Sequence, residues 1–131
     1  MSSIFSKIIA GEIPCYKIAE DSDFLAFLDI NPLNYGHTLV VPKKEIDYIF
    51  DLDDDLLARM NVFAKKIGLA VERVVPCERI GIAVLGLEVP HAHIHLIPIN
   101  GIYYIDFSKP KLKLTAEEFI ELAGKIRAQL T

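Results

Sequence analysis

Apolar positions early in the chain come in short runs broken by polar clusters; later they recur at a helical spacing. Ser3 to Ala10 (Ser-Ile-Phe-Ser-Lys-Ile-Ile-Ala) predicts a short helix stopped by Gly11. Pro14 then forces extended chain. Tyr16 to Glu20 and Phe24 to Asp29 read as the strands of a hairpin, joined by the polar Asp21-Ser22-Asp23 turn. The run from Asn31 to Gly36 has loop chemistry, and His37 to Val41 is a third strand closed by Pro42. Acidic residues from Asp51 to Asp55 precede a helical pattern from Leu56 to Val74, as the helix macrodipole favours. Glu78 to Val84 predicts a fourth strand, and His91 to Ile97 a fifth between Pro90 and Pro98. Thr115-Ala116-Glu117-Glu118 matches a capping box for a last helix that runs toward Leu130. Early strands joined by short turns, without regular strand–helix alternation, predict an antiparallel α+β fold.

The 131 residues fit one domain over 1–131, and 52% hydrophobic content suffices for a packed core. A net charge of -4 supplies no basic face for nucleic acid, so none is expected as a partner. A small anionic ligand needs only a few local donors and stays compatible. The N-terminus lacks signal-peptide features, and no apolar run reaches the roughly 18 residues of a membrane span. No membrane partner is expected, and the location is read as cytoplasmic. Cys15 and Cys77 lack metal-type spacing and read as free thiols in a reducing compartment.

The histidines change the picture. There are four, and three form His91-Ala92-His93-Ile94-His95. On a strand, alternate side chains share a face, which places these three imidazoles together and leaves Ala92, Ile94 and Leu96 to pack on the other side. Such rings are costly to bury unless each finds a partner. A metal site is one reading, because His-x-His is a common ligand spacing. Yet His91 and His95 lie roughly 13 Å apart along a strand, too far to share one ion, although two of the run plus His37 would reach. Nucleophilic catalysis is the other reading. Neutral imidazole attacks phosphorus well, and neighbouring rings donate hydrogen bonds to phosphate oxygens.

The run His91-Ala92-His93-Ile94-His95-Leu96-Ile97 resembles the His-φ-His-φ-His-φ-φ signature of the histidine triad superfamily, with φ apolar. The segment from Ser3 to Pro14 resembles the opening helix of its Hint-like, nucleoside phosphoramidase branch. Phe24 to Pro32 and Gly36 to Lys44 are similar to the next two blocks, in order. The resemblance implies an α+β fold with a five-stranded antiparallel meander sheet, a long central helix and a C-terminal helix. It implies a homodimer whose sheets join across the interface. It also implies a purine nucleotide substrate, in which a nucleoside monophosphate is linked to a leaving group. By motif position, His93 is the nucleophile that becomes nucleotidylated and His95 contacts the α-phosphate. His37 and His91 hold the imidazole network in the useful tautomer. Asp29 accepts hydrogen bonds from the ribose hydroxyls, and Phe5, Ile8, Phe27 and Ile30 form the slot for the base. No cofactor is implied.

Three departures bear on the chemistry. Ser3 and Ser6 stand where the branch often carries zinc-binding cysteines, and Glu45 where a histidine is common, so no metal is expected. The loop before the triad reads Gly86-Leu87-Glu88-Val89-Pro90, with Leu87 and Glu88 in place of an amide and a hydroxyl. The stretch Val84-Leu85-Gly86 is short and lacks the usual Asn and Gly residues. Glu88 beside the phosphate site is a candidate general acid that favours a cationic or amine leaving group. Two alternatives stay open: hydrolysis of dinucleoside polyphosphates, and a regulatory nucleotide-binding protein with little turnover.

Overall fold

A computed structural model describes residues 2–130. Its elements are α1 (Ile4–Ile9), β1 (Lys17–Glu20), β2 (Phe24–Leu28), β3 (Thr38–Pro42), α2 (Asp54–Val74), β4 (Arg79–Ala83), β5 (Ile94–Ile99) and α3 (Ala116–Arg127). Single 3₁₀ turns lie at Ile49–Asp51 and Ile102–Tyr104. Side chains set the helix starts. The Ser3 hydroxyl accepts the Ser6 amide, and the Asp53 carboxylate accepts the Leu56 amide. Asp53 thereby starts α2 at Asp54, earlier than the apolar periodicity alone indicates, and Asp54 and Asp55 fall in its first turn. Thr115 and Glu118 form the expected capping box of α3. In the first hairpin, Asp21 Oδ1 accepts the amides of Asp23 and Phe24, at 2.8 and 2.7 Å, and turns the chain.

The sheet is five-stranded and antiparallel, in the order β1-β2-β3-β5-β4. Neighbouring strands pair consecutively from β1 to β3; α2 then carries the chain to the far edge, so β5 inserts between β3 and β4. The central strands are covered on both faces. On one, Phe24, Ala26, Leu28, Val40, Ile94 and Leu96 pack against α2 and α3. On the other, Leu25, Phe27, Leu39 and Val41 pack with Phe5 of α1. Two-sided burial explains why β2 and β3 read as continuous apolar runs.

The fifth strand is shifted from its expected span. Ladder pairing begins at Ile94, because β3 and β4 offer partners no earlier than Val40 and Ala83. His91 to His93 precede it: the His91 amide bonds to Val89 O and the Ala92 amide to Ile46 O. At its other end, Pro98 lies inside the strand rather than beyond it. The β3 ladder has ended at Leu96, so proline there faces only β4. Alternation nonetheless persists through the unpaired part. Phe5 packs edge-on to both His91 and His93, with centroids 5.8 and 5.0 Å away, and the His93 ring lies 4.8 Å from that of His95.

Candidate functional site

The imidazoles meet on the α1 side of the sheet. His37 arrives through the loop between β2 and β3. Gly36, at φ +92°, sets its approach, since a Cβ there would stand 2.8 Å from a Val75 methyl. The Leu33 amide donates to His37 Nδ1 at 3.0 Å. That ring's proton therefore sits on Nε2, which donates to His95 Nδ1 at 2.9 Å. His95 in turn keeps its proton on Nε2. His93 Nδ1 donates to the His91 carbonyl at 2.7 Å, which leaves the lone pair on Nε2. His91 Nε2 donates to Pro42 O at 2.7 Å, and Nδ1 accepts the Ser3 hydroxyl at 2.7 Å. Backbone groups thus place the protons of His37, His91 and His93, and His37 in turn places that of His95.

Burial favours the neutral form of His37, His93 and His95. It lowers His37 to about 3, helped by repulsion from His95, Lys111 and His93. It lowers His95 to about 4, helped by His93, and it also lowers His93. Asp29 lies 3.5 Å from His37 Nε2, a polar contact rather than an ion pair because that ring is uncharged. Burial raises Asp29 to about 6. The Asn31 amide on Oδ1, at 2.8 Å, opposes the rise, Glu88 adds to it, and Lys111 reduces it.

A cavity of about 240 Å³ opens onto the rings. His37, His93, His95, Asp29, Phe5, Ile8, Phe27, Ile30 and Glu88 all line it. His91 lies behind the wall as a buried anchor. Phe5 and Phe27 are buried, Ile8 is partly so, and Ile30 stands exposed at the mouth. Glu88 is also exposed, at the rim. Phe107 and Lys111 line the cavity too. Neither was expected, for they lie in an irregular stretch with no motif.

Two groupings bear on metals. Ser3, Ser6, Glu45 and His91 do come together, but they bond to one another: Glu45 accepts the Ser3 amide at 2.5 Å and the Ser6 hydroxyl at 2.6 Å. Two neutral hydroxyls are poor substitutes for thiolates, and this set does not fit structural zinc. Ligand atoms of Asp29, His37 and His95 lie within 4.8 Å of one another. Here the Leu33 amide occupies His37 Nδ1 and keeps a proton on Nε2, so His37 and His95 form a hydrogen-bonded pair with Asp29 beside it rather than a ligand set.

The HIT domain family profile matches residues 10–101. The chain is 41% identical to an uncharacterized HIT-like protein of Borreliella burgdorferi, over 94% of each chain. It is 35% identical to the adenosine 5'-monophosphoramidase hnt1 of Schizosaccharomyces pombe, over 99% of each. A solved Hit-like protein involved in cell-cycle regulation, from Bartonella henselae, superposes with a TM-score of 0.85 at 35% identity, covering 98% of this chain and 96% of that one.

Proposed function

The chain belongs to the HIT family, and from that premise we propose that it cleaves nucleoside phosphoramidates through a nucleotidyl-histidine intermediate. One observation carries the reading: His93 Nδ1 is committed to the His91 carbonyl, which leaves Nε2 as a neutral nucleophile facing the cavity. The resemblance to the Schizosaccharomyces pombe monophosphoramidase supports the substrate class. The base lies between Phe5, Ile8, Phe27 and Ile30, and Asp29 accepts the ribose hydroxyls. His95 Nε2–H donates to an α-phosphate oxygen and steadies the charge that builds there. His93 Nε2 attacks phosphorus, and the bond to the leaving amine breaks with its electron pair; the amine takes a proton from solvent and departs. Water then attacks phosphorus, breaks the bond to Nε2, loses a proton, and releases the nucleoside monophosphate.

The working unit in this reading is a cytoplasmic homodimer joined at the β4 edge. No helix among the described residues is long and apolar enough to cross a membrane. β4 is an edge strand, Ile82 on it is 59% exposed, and the exposed Leu69 of α2 lines one groove with it. The test is turnover of a fluorogenic adenosine phosphoramidate with chelator present, beside His93→Ala. Chelator-resistant turnover that the variant loses is expected. Turnover retained by His93→Ala would overturn the mechanism. Nucleotide binding without turnover would favour a regulatory binding protein.

A further inference from the structure

After β5 the chain makes the 3₁₀ turn Ile102–Tyr104 and then runs irregularly to Leu114. This stretch lies beyond the HIT-matched residues 10–101, yet it returns to the site. Four bonds hold it there. The Leu112 amide donates to Pro32 O at 2.8 Å, and Asn34 Nδ2 donates to Tyr104 O at 3.3 Å. Lys111 Nζ donates to Phe107 O at 2.7 Å and to Lys109 O at 3.0 Å. The stretch is thereby tied both to itself and to the loop that delivers His37. Its product is the placement of Phe107, whose ring meets His95 at 4.8 Å and His37 at 6.3 Å between centroids, in both cases edge to face.

We propose that Phe107 is a positioning residue for the His37–His95 pair, held over it by a strap that Lys111 ties shut. The inference rests on the reading of His95 as the phosphate contact. The His37 Nε2–H to His95 Nδ1 bond decides which nitrogen of His95 presents a proton to the substrate. Water competes for both of those nitrogens wherever it reaches them. The Phe107 ring covers the pair and brings no competing donor or acceptor. The titratable groups that share the cavity with His95 are His37 and Asp29 from the loop between β2 and β3, His93 ahead of β5, Glu88 at the rim and Lys111 on the strap. With the cover gone, hydration lets His95 take a second proton and break the bond from His37. An ammonium has three donors, and Lys111 spends two of them on the strap.

The experiment follows His95 by ¹⁵N-resolved NMR titration in wild type, Phe107→Ala, Phe107→Leu and Lys111→Gln, beside the pH profile of phosphoramidate turnover. In Phe107→Ala the His95 midpoint should rise by about one unit toward the ordinary histidine value, as restored hydration requires. The acidic limb of kcat should rise with it, while KM changes little. Phe107→Leu, which still excludes water, should restore most of both. Lys111→Gln leaves the rings intact but loosens the strap, so a smaller shift of the same sign is expected; it also keeps the test open if Phe107→Ala fails to fold. Wild-type titration of His95 in the folded variants would overturn the proposal. Wild-type protein that does not turn over the phosphoramidate would defeat the proposed function instead, and the titration would still decide the role of Phe107.

Discussion

His93 can act as a nucleophile only while its proton stays on Nδ1. The His91 carbonyl holds it there, and His91 is itself anchored between Pro42 O and the Ser3 hydroxyl. Loss of the ring in His93→Ala should cut phosphoramidate turnover by about three orders of magnitude or more, read as kcat, with nucleotide affinity largely kept. The neutral rings also carry a stability signature. His37 and His95 titrate far below the ordinary 6.5, so the unfolded chain binds protons more readily than the folded one between roughly pH 6.5 and 4. Their contribution is full above 6.5 and is lost as pH falls through about 4 and then 3. Asp29, raised to about 6, acts in the opposite sense and offsets part of it. Urea unfolding at pH 7 and pH 4.5 should show a net loss on the order of 2 kcal/mol at the lower pH. The histidine spacing made this centre legible in the sequence. Phe107 and Lys111 were not legible: Phe107 acts through His37, seventy positions earlier, and Lys111 through backbone carbonyls of an irregular stretch that carries no motif.

Each element that delivers a site residue is fixed by a local device. Gly36 turns the chain into His37 at a positive φ, with Val75 and Pro98 atoms 2.8 and 3.2 Å from any added Cβ. Gly36→Ala should therefore destabilise the fold by about 2–4 kcal/mol, seen as a lower Tm, and should weaken activity through His37. By contrast, Thr115 is not among the residues that line the cavity, and Thr115→Ala, which removes the capping box of α3, should cost about 1 kcal/mol with turnover unchanged. The capping box was readable because Thr115 and Glu118 stand three positions apart; the loop that ends at Gly36 was readable from its turn-forming residues, but the atoms that crowd Gly36 were not. The start of β5 was not. Its histidines alternate as a strand should, but whether they join a ladder depends on where β3 and β4 run out. The insertion of β5 beside β3 was equally hidden, since it is settled by how α2 crosses the sheet.

At the scale of the whole molecule, the two faces of the sheet divide the work. One packs α2 and α3 into the main core, and the other, under α1, holds the rings and the cavity. In the proposed dimer the second copy joins along the β4 edge of the sheet. Sedimentation equilibrium should return twice the 14.7 kDa chain mass, and Ile82→Asp should shift the population to monomer. A monomeric wild type would remove the dimer from the account but leave the chemistry of His93 standing.

The central claim is the covalent step, and it is tested most directly by mapping the intermediate. Protein mixed with an adenosine phosphoramidate is quenched in alkali within the first turnover, digested, and read by mass spectrometry. The account predicts an adenylyl group on the peptide that carries His93, bonded to the imidazole. An adenylyl group on any other residue, or none while the first turnover proceeds, would contradict it.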